Sequence, residues 1–188
     1  MTESPTEHFE HVEHAEHVAH SGNSFLSLVS VTIAVVAVAA ATLGSLETIE
    51  AGAAGSLKNS AVLFQNKATD AWNFYQAKSV KKNMYEIAAV ANTAKADEFT
   101  RESKRYDEES RDIQKEAKEH ERKTEEALRE ADHHEHRHHI LTAAVTFLHV
   151  SIAIATISII TKGHRWPWYT ALVLAAAGAV TTARAYIM

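Results

Sequence analysis

The 188-residue chain contains no cysteine, which excludes disulfides, zinc ribbons and thiol catalysis. Glycine and proline are also missing from its longest segment, because neither occurs between Gly55 and Gly163. This segment is rich in Ala, Glu, Lys and Arg, which form helices well, and it holds no residue that forces a helix to end. We therefore expect it to be helical nearly throughout and the protein to be all-α.

Charge is missing from three apolar segments, residues 25–46, 140–161 and 169–188, apart from Arg184 near the end of the third. As a helix, the first segment reaches about 33 Å, which is enough to cross a bilayer. Between the second and third, residues 162–168 are expected to form a tight turn, since they include glycine, proline and tryptophans suited to lipid headgroups. These features predict an integral membrane protein with three transmembrane helices, embedded in the lipid bilayer.

The residues between the first two apolar segments, 47–139, are expected to form an antiparallel helical hairpin. Because both of its ends must lie at one membrane face, the helix has to fold back. Asn92 and Thr93 form the weakest helical stretch near the middle, and Asp97 and Glu98 suit the first turn of a new helix. In the second arm, large and small side chains alternate along a heptad seam typical of coiled coils. The seam consists of Phe99, Ser103, Tyr106, Ser110, Ile113, Ala117, His120, Thr124, Ala127 and Ala131.

The first arm has more apolar surface than one partner helix can cover. Its apolar residues at helical spacing include Phe64, Ala68, Trp72, Tyr75, Val80, Met84 and Ile87. Stripes of small residues also run along the first and third apolar segments, and such stripes allow membrane helices to associate closely. We therefore predict a homo-oligomer.

A short motif in the first arm resembles a known family. It reads W-x-x-Y-Q-A-K-S and comprises Trp72, Tyr75, Gln76, Lys78 and Ser79, with Gln65 preceding it. The motif and most of the chain resemble the bacterial membrane-protein family called domain of unknown function 4337. The resemblance implies the same architecture in a bacterial inner membrane and supplies no activity. Because these residues share neighbouring faces of one helix, a packing interface is favoured over a ligand site, which usually draws on several segments.

The acidic tail, residues 1–24, holds the first of two histidine clusters. Glutamate precedes histidine in a triplet repeat at His8, His11, His14 and His17, and His20 continues the same spacing. A solvated, weakly helical tail is the simpler interpretation. The alternative is capture of zinc, nickel or copper, which suit neutral imidazole.

The second cluster lies directly before the second apolar segment and consists of His133, His134, His136, His138 and His139. It includes the His-Glu-x-x-His pattern of zinc proteases, but five histidines in one stretch produce that pattern easily. A pH-responsive patch at the membrane interface is favoured over metal binding. One spanning helix separates the two clusters, which are therefore expected on opposite sides of the membrane. His149 lies inside the second apolar segment, where an ionisable group is a functional candidate, although a hydrogen bond to a neighbouring helix is the simpler interpretation.

The sequence favours a structural role over catalysis. No phosphate-binding glycine loop or nucleophile elbow occurs, so we predict a protein that is not an enzyme. The hairpin has more acidic than basic residues, which argues against nucleic acid, and the positive-inside rule places it in the cytoplasm with the N-terminus outside. The favoured function is a homo-oligomeric scaffold whose hairpin binds itself or a protein partner. The alternative is a protein that binds, senses or transports zinc, nickel or copper.

Overall fold

The computed structural model describes residues 24–161 and 163–187. Its elements are the helices α1 (Ser24–Ala91), α2 (Ala96–Ile160) and α3 (Arg165–Ile187), with a short 3-10 helix (Thr93–Lys95) between the first two. No strand occurs among the described residues, which confirms the all-α class. Each of the three α-helices contains a window long and apolar enough to cross a membrane, judged by length and composition.

The described residues divide into two compact units. The three-helix unit consists of residues 24–53 and 133–187, and the hairpin unit consists of Ala54–Asp132. Both units contain parts of α1 and α2, whereas α3 belongs to the three-helix unit alone.

The break between α1 and α2 lies where the sequence predicts it. Asn92 leaves the helical region, with φ of −130° and ψ of 87°. Asparagine forms helices poorly because its side chain competes for backbone hydrogen bonds. Asp97 and Glu98 then occupy the first turn of α2, where carboxylates interact favourably with the positive end of the helix dipole.

The predicted turn over residues 162–168 is wrong in its second half, because α3 already begins at Arg165. Pro167 is the third residue of α3, where a backbone N–H has no partner within the helix, so the missing proton of proline costs nothing. The reversal itself depends on Gly163, whose φ of 99° is rarely adopted by other residues. Its N–H donates to the Ser158 carbonyl at 2.9 Å and closes the end of α2.

The three-helix unit has a compact apolar core. Its buried residues are Val29, Ile33, Val36, Ala37 and Ala40 of α1, Leu148, Ile152 and Ala155 of α2, and Ala171 of α3. Two polar side chains join the helices within it: Ser151 Oγ donates to the Ala171 carbonyl at 2.7 Å, and Trp168 Nε1 donates to Thr32 Oγ1 at 3.2 Å. These bonds satisfy polar groups that lie among apolar side chains.

Gly178 allows α3 to approach α2 closely. A Cβ at this position would lie 3.0 Å from Leu148 Cδ2 and 3.1 Å from the Ala144 carbonyl oxygen. Small residues are typical where membrane helices pack backbone to backbone.

Gly178→Ala is expected to destabilise the three-helix unit by about 1 to 2 kcal/mol, because the backbone of Ala144 cannot move aside without disturbing the packing. Gly44→Ala is the matched control, since a Cβ there meets nothing within 4 Å, and it should be neutral or slightly stabilising. Thermal unfolding in mild detergent, followed by circular dichroism, measures both. Equal thermal unfolding midpoints for the two variants would contradict the close approach of α3 to α2 at Gly178.

Candidate functional site

The hairpin unit is built around a seam of small buried side chains. On α1, Ala54, Ala61 and Ala68 are buried at a spacing of seven residues. The facing α2 residues that are buried are Ser103, Ser110, Ala117, Thr124, Ala127 and Ala131. The predicted heptad seam of the second arm is therefore confirmed, and its small side chains let the two helices approach closely.

The family motif lies along this seam. Trp72 Nε1 donates to Glu121 Oε1 of α2 at 2.8 Å, and its ring contacts Tyr75 edge to face. Lys78 lies 5.1 Å from the Phe74 ring centroid, and its Nζ donates to Glu109 Oε2 at 2.5 Å. These contacts involve side chains of α1 and α2 and describe a packing interface between them.

The remaining motif residues make a smaller contribution to the interface. Gln65 and Gln76 are exposed, and Ser79 is half-buried. The structure therefore does not gather all six motif residues around one point, and Trp72, Tyr75 and Lys78 are the ones it places against α2 or against each other.

Charged pairs continue the interface toward the tip of the hairpin. Lys82 Nζ lies 3.0 Å from Asp107 Oδ1, and Tyr85 stacks on Tyr106 with 5.6 Å between ring centroids. The hydrogen bond from Lys82 lowers the pKa of the Asp107 carboxyl below its usual value, and Lys78 does the same for the pKa of Glu109. The sequence does not identify these acidic partners, because α2 holds many carboxylates and nothing in the sequence shows which of them a given lysine contacts.

A second face of α1 in the hairpin unit is apolar and exposed. We call Val80, Met84 and Ile87 the outer stripe; they are 56%, 64% and 70% exposed. Their spacing of four and three residues places them on one helix face. Lys82, which contacts α2, is two residues from both Val80 and Met84, about 200° around the helix. The outer stripe therefore faces away from α2.

One face of the second histidine cluster contacts α1. His134 Nδ1 lies 2.5 Å from Glu50 Oε2, and His138 Nδ1 lies 3.7 Å from Glu47 Oε1. Arg137 Nη1 is 3.6 Å from the other oxygen of Glu50. The histidines of the His-Glu-x-x-His pattern thus face glutamates of another helix.

Sequence reasoning missed Glu47 and Glu50. The signal was present, since they are the first two carboxylates after the first apolar segment, and the histidines come directly before the second. Antiparallel helices bring such flanking residues together.

The other face of the cluster lies toward α3. His136 and His139 line a cavity of about 340 Å³ together with Ile140, Ala143, Thr181 and Arg184. His133 is exposed. The five histidines are therefore distributed around α2 and do not converge on one point.

The structure gathers no metal centre within residues 24–161 and 163–187, where no three His, Asp or Glu side chains are placed to hold an ion. His149 is half-buried in α2. The tail histidines, His8, His11, His14, His17 and His20, lie outside the described residues.

The fold and these contacts define a class: an all-helical protein whose described part holds three helices apolar enough to cross a membrane, two of which also pack as a hairpin. Comparison with known protein families then identifies it further. The family model described as Domain of unknown function (DUF4337) matches residues 25–188, and the chain belongs to this family. The resemblance carried by the motif is confirmed. A search of curated proteins found no match, and neither did a search of solved structures.

Asp107→Asn is expected to make the stability of the helices less sensitive to acid. The folded-state pKa of Asp107 lies below the ordinary 3.8, so its carboxylate adds stability above that ordinary pKa, and this is lost as the pH falls through the folded value. Between about pH 5 and pH 3, an interval that brackets the ordinary pKa of aspartate, the thermal midpoint should therefore fall less in the variant than in the wild type. Asp112→Asn is the control, since Asp112 is exposed and pairs with Lys115 on its own helix. Identical pH profiles for the two variants would show that the Lys82–Asp107 pair does not link stability to pH.

The pair formed by His134 and Glu50 should stabilise the three-helix unit by about 1 kcal/mol, as expected for a hydrogen bond between partly buried side chains. A double-mutant cycle with His134→Ala and Glu50→Ala measures this coupling through detergent-induced unfolding. The matched cycle pairs Glu50→Ala with His133→Ala, whose side chain is exposed, and its coupling should be near zero. Equal coupling in both cycles would mean that the contact contributes nothing specific.

Proposed function

We propose that this protein is a non-enzymatic, homo-oligomeric scaffold of a bacterial inner membrane. In this proposal the start of α1, the end of α2 and the whole of α3 cross the lipid, the hairpin unit lies in the cytoplasm and the N-terminus lies outside. The three apolar windows support the membrane placement, and the distribution of basic residues near the membrane ends supports the orientation.

The outer stripe is the observation that supports self-association. The hairpin unit buries its seam of small residues between α1 and α2, yet leaves Val80, Met84 and Ile87 more than half exposed on a different face of α1. Each such side chain gains about 1.5 to 3 kcal/mol when it is fully removed from water. A second copy of the hairpin offers the same stripe, so pairing the two stripes covers both at once.

The metal-binding alternative has weaker support. Two histidines of the second cluster already face glutamates, and two others line a cavity with an arginine, whose positive charge opposes a cation. Titration of the purified protein with Zn²⁺, Ni²⁺ and Cu²⁺ distinguishes the two functions. Stoichiometric micromolar binding that is lost when the five histidines of residues 133–139 become alanine would favour the metal-binding protein.

Because the chain lacks cysteine, single-cysteine variants test self-association without background. Met84→Cys should give covalent dimers with a short bismaleimide in native membranes, since the stripes of two copies lie against each other. Lys104→Cys is the control, because Lys104 is exposed on α2 of the same hairpin unit, and it should give few dimers. Equal yields from both positions would contradict pairing through the outer stripe.

The double variant Met84→Glu/Ile87→Glu should weaken the oligomer at least about tenfold, because it places charges on a surface that association removes from water. Native mass spectrometry in mild detergent measures the distribution of oligomers. A wild-type protein that is monomeric at every concentration would rule out the scaffold proposal.

A further inference from the structure

The cavity between α2 and α3 points to a lipid-binding site. We propose that it binds the phosphate group of an anionic phospholipid. Its lining residues are His136, His139, Ile140, Ala143, Thr181 and Arg184. This inference rests on the membrane placement given under the proposed function, but it does not depend on oligomerisation.

The charge of the cavity suits an anion. The Arg184 guanidinium and the two imidazoles can donate hydrogen bonds to an anion, whereas the Thr181 hydroxyl already donates to the Ala177 carbonyl at 2.8 Å. The part of the chain described by the structure contributes no carboxylate to the lining. Guanidinium groups bind phosphate with two parallel hydrogen bonds.

The opposite face of the same histidine cluster provides an internal comparison. There, His134 and His138 face Glu50 and Glu47 of α1. Carboxylates therefore occupy one face of the cluster, whereas the face toward α3 presents hydrogen-bond donors to a cavity.

The position of the cavity along the helices matches the level of lipid phosphates. Ile140 lies 20 residues before the end of α2 at Ile160, and Arg184 lies 19 residues after the start of α3 at Arg165. At helical rise both are about 30 Å from the turn that joins the helices, which is the thickness of the hydrocarbon layer. The cavity therefore lies at the membrane surface opposite this turn.

The lining also fits a molecule that is polar at one end and apolar at the other. Ile140 and Ala143 add an apolar wall next to the polar groups. A free phosphate ion has no apolar part that could pack against this wall, whereas the first carbons of an acyl chain can pack against it. Basic pockets between transmembrane helices are known to bind anionic headgroups.

The helix packing explains why space is left at this position. One turn before Thr181, Gly178 lets α3 approach α2 so closely that a methyl group would not fit without movement. The short side chains of Ala143 and Thr181 then leave the groove open at the next turn. The close contact of Gly178 with α2 thus forms one border of the cavity.

Native mass spectrometry of the full-length protein in mild detergent tests the site with phosphatidylglycerol and phosphatidylcholine of identical acyl chains. The wild type should bind phosphatidylglycerol preferentially, and Arg184→Gln should weaken that binding at least about fivefold, as expected for one basic group at an anionic headgroup. Arg165→Gln is the matched control, because it removes the same charge from the other end of α3, and it should leave the preference unchanged. Millimolar inorganic phosphate should not displace the lipid.

A second variant tests the shape of the cavity without altering its charge. Ala143→Leu narrows the cavity and should reduce phosphatidylglycerol binding at least about threefold, which is the effect expected from the loss of one packing contact. Circular dichroism shows whether Arg184→Gln remains folded. If it does not, Ala143→Leu alone tests whether the cavity binds the lipid.

The proposal is overturned if the wild type shows no preference for phosphatidylglycerol, or if Arg184→Gln and Arg165→Gln lower binding equally, which would indicate general surface attraction. Displacement by inorganic phosphate would assign the cavity to free anions and overturn the lipid site. A monomeric wild type that still prefers phosphatidylglycerol would remove the scaffold proposal alone. A wild type that alkaline washing releases from membranes would remove the membrane placement on which both proposals depend.

Discussion

Antiparallel pairing of α1 with α2 is the constraint on which the rest of the structure depends. As residue numbers rise along α1 they fall along α2, so that Trp72 meets Glu121, Lys78 meets Glu109 and Lys82 meets Asp107. A change of register by one helical turn would separate all of these pairs together. The register is compatible with close packing because both helices present small side chains at a spacing of seven residues.

The same antiparallel arrangement organises the polar residues of the three-helix unit. Glu50 and Glu47 follow the apolar part of α1, and they face His134 and His138, which precede the apolar part of α2. The His134 imidazole and the Glu50 carboxylate hydrogen-bond to each other, which offsets the cost of partly burying them. His138 Nδ1 lies 3.7 Å from Glu47, beyond hydrogen-bond distance. Helical geometry then directs His136 and His139 of the same cluster to another face, where they line the cavity together with residues of α3.

The two proposed functions use surfaces that this intramolecular packing does not cover. The outer stripe of the hairpin unit is apolar and exposed, and burying it in an oligomer would remove that surface from water. The cavity of the three-helix unit instead presents hydrogen-bond donors, which suit an anionic headgroup. Since the two surfaces differ in chemistry, the two proposals concern different binding partners and can be tested independently.

Local features of the sequence were sufficient to predict the helical class, the helix break at Asn92, the heptad seam of the second arm and the family. Each of these depends on residues within a few positions of one another, through helix propensity or helical periodicity. The extent of the turn before α3 was predicted incorrectly, because proline is excluded from helix interiors but tolerated in the first turn that Pro167 occupies. The sequence also placed five histidines in one cluster without revealing that they divide between two faces with different partners.

Only the tertiary structure decided which glutamates meet His134 and Lys78, where α3 approaches α2 at Gly178 and which residues line the cavity. These contacts join residues that are 31 or more positions apart in the first two cases, so they follow from helix register and crossing. Neither quantity is encoded in a local pattern, because periodicity shows which face of a helix is buried but not which residue of another helix lies opposite it.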